Sequence, residues 1–138
     1  GGFDVCGERL HIRDVKIPLM SVTCQSDHIA AWKDCYRGFQ QTGSKNRTFI
    51  VSESGHIAGI VNPPTKKKYG HYTNENLTET ADEWMAGATR HDGSWWPRWE
   101  AWLAKRSGKM VPAREPGDAE HPSLEPAPGT YVRKKAAG

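Results

Sequence analysis

Two residues have the types, order and separation that suit proton-transfer chemistry: Asp27 and His56. Asp27 follows the apolar run Ile17-Pro18-Leu19-Met20-Ser21-Val22-Thr23-Cys24, and His56 follows a second run, Thr48-Phe49-Ile50-Val51. In a nucleophile, histidine and acid triad, the imidazole accepts the nucleophile's proton, while the acid holds the ring in the working tautomer and stabilises its cation. The separation of 29 positions leaves room for one helix and one strand. Each residue also has a plainer reading. An Asp directly before a helical pattern is a preferred N-cap, and a histidine between Gly55 and Ile57-Ala58-Gly59 can simply be solvated.

The third member of a triad is missing. A nucleophile elbow needs small residues two positions away on each side of the Ser or Cys. Cys6 has Asp4 and Glu8 at those positions, Cys24 has Val22 and Ser26, and Cys35 has Lys33 and Arg37. None fits, and all three cysteines read as packing residues. Their odd number, with spacings of 18 and 11 and no C-x-x-C pair, gives neither a disulfide framework nor a zinc site. Reduced thiols in a cytoplasmic protein are the simplest expectation.

The elements that must position the pair can be read around it. Residues 17–24 form a short, nearly continuous apolar segment, as in a strand buried on both faces of a parallel sheet. From His28 onward, Ile29, Trp32, Tyr36 and Phe39 recur at helical steps, with Gly43 as the terminator. Residues 48–51 form the next strand. Strand, acid, helix, strand, histidine is a βαβ unit, and α/β folds place their chemistry at the C-terminal strand ends. It is also the acid-then-histidine order of α/β-hydrolases. The expected fold class is therefore α/β, the C-terminal part of an α/β-hydrolase fold, with its last two parallel strands plus helices.

Further along, Asn62-Pro63-Pro64 stops regular structure, and Lys66-Lys67-Lys68 with residues 69–76 reads as a surface loop. Thr80 with Glu83 matches a capping box that introduces a helix carrying Trp84, Met85 and Ala88. Pro97 opens a second helix, with Trp99, Trp102 and Leu103, that closes near Gly108. The two helices are expected to pack through their tryptophans. Residues 110–129 hold five of the nine prolines, so an extended tail is expected over 109–138, after a catalytic portion at 1–108.

Bulk composition narrows the function. With 36% hydrophobic and 25% charged residues and no apolar run near membrane-span length, no transmembrane segment is expected. A net charge of +3 in short basic clusters makes nucleic-acid binding a poor reading. The chain opens on Gly1-Gly2 without methionine, and two strands alone bury too little surface to be stable, so the expected sheet is incomplete.

Four ordered motifs resemble one family. Ser26-Asp27-His28-Ile29 with Trp32, then Ser54-Gly55-His56-Ile57-Ala58-Gly59 with Asn62-Pro63-Pro64, then Gly93-Ser94-Trp95-Trp96-Pro97 with Trp99, then Glu125-Pro126-Ala127-Pro128-Gly129-Thr130-Tyr131-Val132 are similar to the C-terminal catalytic region of polyhydroxyalkanoate synthases. The ending resembles the class I, short-chain enzymes. The resemblance implies an acyltransferase that polymerises (R)-3-hydroxyacyl-coenzyme A, typically 3-hydroxybutyryl-CoA, into a growing polyester chain with release of CoA. It implies no cofactor and no metal, a homodimer, and a cytoplasmic site at the granule surface. His56 would be the base for a cysteine nucleophile upstream of this chain, and Asp27 would either orient His56 or activate the substrate hydroxyl. Without that cysteine, the chain alone should be inactive.

His28 also fits the family pattern, but its side chain points away from that of its neighbour at a helix start, so only a supporting role is open to it. The tryptophans at 84–102 read as core, with a polymer-binding surface as the other possibility. Lys66 to Lys68 read as a solvated face, with coenzyme A phosphates as a second reading. Two further readings are a hydrolytic relative, an esterase or intracellular depolymerase, and an interaction module whose helices and tail contact the granule or a partner.

Overall fold

The computed structural model of the chain describes residues 2–136. Phe3–Val5 (β1) and Glu8–Leu10 (β2) form an antiparallel hairpin. Its two-residue turn has positive φ at both positions, 49° at Cys6 and 84° at Gly7, the pattern whose twist matches that of paired strands. Cys6 is therefore a turn residue and exposed, not the packing residue expected of it.

Leu19–Cys24 (β3) pairs in parallel with Arg47–Ser52 (β4), in register from Leu19 with Arg47 to Cys24 with Ser52. The connection is the helix Trp32–Gln40 (α1), which buries Tyr36 and Phe39. The expected βαβ unit is present, with two adjustments. The helix starts at Trp32, because Asp27 folds residues 28–30 into a turn first, and Ile29 is left 68% exposed. The helix ends before Gly43. That glycine instead allows a close approach, since a Cβ there would lie 1.9 Å from the Arg13 carbonyl oxygen.

The sheet does not stop at two strands. His71–Thr73 (β5) adds antiparallel to β4, and Thr89–His91 (β6) adds antiparallel to β5, giving the order β3-β4-β5-β6. Residues 69–76 are thus not simply a surface loop. The reason is chemical: β5 and β6 read His-Tyr-Thr and Thr-Arg-His, so burial there is satisfied by hydrogen bonds and leaves no apolar alternation to detect. The result is a mixed α/β architecture with a four-stranded sheet.

One face of the sheet carries the core. Phe49 and Val51 of β4 meet Tyr36 and Phe39 of α1, and Ala81 and Trp84 of Ala81–Ala86 (α2). Tyr36 and Trp84 both stand edge-on to Phe49, with ring centroids 5.0 and 5.3 Å away, a favoured aromatic geometry. Tyr36 donates its hydroxyl proton to the Thr78 carbonyl at 2.8 Å. The capping box forms as expected, because Thr80 Oγ1 accepts from the Glu83 amide and Glu83 Oε2 accepts from the Thr80 amide.

Trp96–Ala104 (α3) starts with Pro97 in its first turn. The tryptophans do not join α2 to α3 as expected. Trp84 packs on Tyr36 and Phe49, whereas Trp95, at the start of α3, packs on Trp96 and Trp99. The division follows from the sheet, since Trp84 shares the cluster of Phe49 and Val51. Residues 107–138 form a second unit. Its described part is almost wholly exposed and locally tied, with Asp118 Oδ1 accepting from the amides of Glu120 and His121, and Glu125 Oε1 from Thr130.

Trp84→Ala should lower unfolding stability by about 3–5 kcal/mol, while Ile29→Ala should change it by less than about 0.5 kcal/mol. Urea denaturation of both variants checks the contrast, and a comparable loss in Ile29→Ala would return that residue to the core.

Candidate active site

Parallel pairing between β3 and β4 continues past both strands and sets up the site. The Gln25 amide donates to the Ser52 carbonyl at 2.8 Å, and the Ser26 amide donates to the Ser54 carbonyl at 2.9 Å. Both chains then turn, and Asp27 and His56 meet, with Asp27 Oδ2 2.7 Å from His56 Nδ1. The other carboxylate oxygen, Oδ1, accepts from the amides of Ile29 at 2.8 Å and Ala30 at 2.9 Å. Asp27 is accordingly not the N-cap of α1, a position held by Ala31. It caps the turn before the helix and keeps one oxygen for the histidine.

The electrostatics follow from these partners. The Asp27 side chain is 6% exposed, against 48% for His56. The Ala30 amide holds the Asp27 carboxyl down from its ordinary range to about 2, with help from His56 and the Ile29 amide, against an opposing effect of burial. An ionised carboxylate can only accept, so the proton between the two residues sits on His56 Nδ1, and Nε2 is left as the ring nitrogen that can take up a proton. Cys24, on the strand below, is a buried thiol pushed up to about 11 by burial and then by the Asp27 charge. It is no thiolate source, and its packing role agrees with expectation.

The loop bearing His56 is built from close contacts. Ser54 takes a positive φ of 73°. The Gly59 amide then closes a helical turn on the Gly55 carbonyl at 2.9 Å, and Val61 does the same on Ile57 at 2.8 Å. A Cβ on Gly59 would lie 2.5 Å from Cys24 Sγ and 2.7 Å from the Glu53 carbonyl, so only glycine lets the loop fold back onto β3. The Gly59 carbonyl accepts from Ser52 Oγ at 2.8 Å and from Trp95 Nε1 at 3.0 Å, and the Ile60 carbonyl accepts from Trp96 Nε1 at 2.9 Å.

Comparison with known proteins decides the family. The chain is 42% identical, over 99% of its length, to the poly(3-hydroxyalkanoate) polymerase subunit PhaC of Cupriavidus necator. It is 45% identical over 93% to a poly(3-hydroxyalkanoate) polymerase of Methylorubrum extorquens, and 41% identical over 94% to a PhaC subunit of Rhizobium etli. The chain belongs to the poly(3-hydroxyalkanoate) polymerase family. It spans 23%, 21% and 20% of those three relatives, and matches their C-terminal region. No family model matches it.

Other residues singled out in this polymerase segment make no side-chain hydrogen bond to the pair that the structure records. His28 is exposed, on the turn that Asp27 closes. Lys66, Lys67 and Lys68 are exposed beside a groove of about 450 Å³ lined by Ile57, Val61, Asn62 and Tyr69. Asn62 shapes that loop by donating to the carbonyls of Lys68 and Tyr69. Trp84 and Trp95 are buried, and Trp99 is 43% exposed. Among the described residues, no three His, Cys, Asp or Glu side chains gather as metal ligands, and no helix is long and apolar enough to cross a membrane.

Sequence reasoning missed a pair of histidines. His71 and His91, paired across β5 and β6, stack with centroids 5.2 Å apart. His71 Nδ1 lies 2.9 Å from the Gly93 carbonyl, and its Nε2 accepts from Arg98 Nε at 2.8 Å. Arg98 Nη2 is 3.1 Å from both ring nitrogens of His91, whose Nε2 also meets Thr73 Oγ1 at 2.8 Å. Nothing in a lone histidine on a polar strand signals such a cluster; only the pairing register does. Burial is the main cause of a lowered proton affinity in both rings; at His71 the Gly93 carbonyl opposes it, Arg98 and His91 lower it further and Glu53 opposes slightly, while at His91 Arg98 adds to burial.

Both histidines have folded values below the free value of 6.5, so below that pH the unfolded chain binds more protons than the folded one. The stabilisation they provide is complete above about pH 6.5 and declines as pH falls toward their folded values. Asp27 adds a second loss between 3.8 and about 2. Urea midpoints measured between pH 7.5 and 5 should fall with acidification, and His71→Gln should flatten that slope by up to about 1.4 kcal/mol per pH unit. An unchanged slope in that variant would remove His71 from the acid response.

Proposed function

We propose that the chain is the acid-and-base portion of a polymerase that converts (R)-3-hydroxyacyl-CoA, with 3-hydroxybutyryl-CoA the favoured substrate of the short-chain class, into polyester and free CoA. The observation that carries this reading is the 2.7 Å contact between an ionised Asp27 and His56 Nδ1, in a chain 36–45% identical to poly(3-hydroxyalkanoate) polymerases. Residues 1–108 then belong to a catalytic domain of α/β-hydrolase type, and 109–138 form a tail. The parallel β3 and β4 with α1 between them, and the acid and histidine just past the strand ends, support that assignment.

The mechanism follows from the proton positions. His56 Nε2 takes the proton of a cysteine thiol, and the thiolate attacks the thioester carbonyl of the substrate. The coenzyme A sulfur leaves and receives the proton from the imidazolium. The hydroxyl of a bound hydroxyacyl unit, deprotonated in turn by Nε2, then attacks the carbonyl of the next acyl thioester; the C–S bond breaks, the expelled thiolate takes the proton back from the imidazolium, and the ester is left. Asp27 holds the ring with Nδ1 protonated and stabilises the cation formed in each step. Its Oδ2 faces His56 and its Oδ1 is occupied by two backbone amides, which supports the orienting role over direct activation of the substrate hydroxyl.

The nucleophile comes from outside these 138 residues. Cys24 is buried and protonated, Cys35 directs its sulfur to the Ala30 carbonyl, and Cys6 lies on the exposed hairpin turn. The chain alone therefore turns over no substrate. The thioester supplies its own activation, so no cofactor is needed, and the setting is a homodimer at a cytoplasmic granule surface, as the family resemblance implies.

In a complete polymerase carrying this segment, His56→Ala should reduce CoA release from 3-hydroxybutyryl-CoA by about 10³-fold or more. Asp27→Asn should cost about 10²–10⁴-fold, because an amide that donates to Nδ1 moves the ring proton to Nε2. Undiminished turnover in His56→Ala would exclude it as the base.

A further inference from the structure

We propose that Trp95 and Trp96 are positioning residues for His56, acting through two indole N–H groups that hold successive carbonyls of the histidine loop. The inference rests on the reading of His56 as the base.

The loop needs an external restraint. Its histidine is about half exposed, and the adjacent Ile57 is 72% exposed, so side-chain packing does little to fix it. What orders it is backbone bonding, and the decisive groups are the carbonyls of Gly59 and Ile60. Gly59 is tied by its amide to the Gly55 carbonyl, on the other side of His56, so a shift of one carries the other. Trp95 Nε1 and Ser52 Oγ together fill both acceptor positions of the Gly59 carbonyl, and Trp96 Nε1 takes Ile60.

The donors come from a fixed platform. Trp96 has its amide held by Ser94 Oγ at 3.0 Å, and Trp95 packs at a tilt against Trp99 with centroids 5.7 Å apart. Arg98, one turn into α3, is bonded to His71 Nε2 at 2.8 Å, and His71 is paired with Ser52 at the end of β4. The same Ser52 hydroxyl reaches Gly59. Loop, helix start and strand end thus share one hydrogen-bonded frame.

Trp84 provides the contrast that separates positioning from packing. It is fully buried among aromatic rings, and its Nε1 has no hydrogen-bond partner. A core tryptophan in this chain does without a bond to its indole N–H. Trp95 and Trp96 both direct theirs to the loop that carries His56.

The test uses the complete polymerase carrying this segment, with Trp95→Phe, Trp96→Phe and Trp84→Phe variants. Phenylalanine keeps an aromatic ring and removes the donor. Trp95→Phe and Trp96→Phe should each lower kcat by about tenfold with KM for 3-hydroxybutyryl-CoA within about twofold, since small misplacements of a reacting group cost rate more than binding. The downfield NMR resonance of the proton between His56 and Asp27 should broaden or shift in both. Trp84→Phe should lower thermal stability and leave kcat and that resonance unchanged. Wild-type kcat and an unmoved resonance in both clamp variants would overturn the proposal, as would an equal loss of kcat in Trp84→Phe. His56→Ala run in parallel separates the two readings: if it retains turnover the base assignment fails, and the resonance still decides whether the tryptophans position the ring.

Discussion

The bonds between the 25–26 segment and the 52–54 segment are the constraint on which the rest of this structure depends. Within β3 and β4, parallel pairing is a regular ladder. Past the strand ends, Gln25 and Ser26 continue it by two amide bonds to Ser52 and Ser54, and only this extension brings two outgoing loops close enough for a side chain of each to touch. Asp27 then closes one turn with Oδ1 and meets His56 with Oδ2. On the other side, the positive φ at Ser54 and the absence of a side chain at Gly59 let the histidine loop fold back over Cys24. The contact is thus imposed by backbone geometry, with the two side chains completing it.

The features legible in the sequence were those written in apolar periodicity or in strong local chemistry. Ile50 and Val51 mark a buried strand, Tyr36 and Phe39 mark one face of a helix, and Thr80 with Glu83 specifies a cap that forms as read. Asp27 and His56 could be singled out because each follows an apolar strand. β5 and β6 could not be, because the buried His71 and the partly buried His91 are satisfied by hydrogen bonds to Gly93, Arg98 and Thr73, partners that come together only after the strands pair. Ile29 continues the helical period in sequence, yet Asp27 intercepts the backbone at residues 29 and 30 and delays the helix. Trp95 and Trp96 look like core residues because composition records their apolar rings, whereas their contact with the histidine loop rests on two N–H groups.

Three histidines, two on the sheet and one on the loop after β4, show how position alone gives one side chain two settings. His71 is 3% exposed and sits beside a guanidinium, so its proton affinity is lowered and its ring serves as a neutral connector, meeting Gly93 at one nitrogen and accepting from Arg98 at the other. His91 shares that guanidinium and stacks on His71. His56 faces an anion instead and keeps half its surface in water. The first two rings can be charged only at the expense of the frame around them. The third has an anionic partner already in place at Nδ1.

The low proton affinity of Asp27 bears on what kind of partner it can be. A carboxyl held near its ordinary range would share protons with an acidic medium and lose its grip on the ring. With its pKa brought to about 2 by the Ala30 amide, His56 and the Ile29 amide, the carboxylate stays charged throughout the range in which an imidazole titrates. It therefore meets His56 as a charge and an acceptor. The same bonds limit its freedom, since Oδ1 is committed to the turn and only Oδ2 remains for the histidine. A carboxylate so constrained presents a fixed charge and a fixed acceptor to the His56 ring at Nδ1.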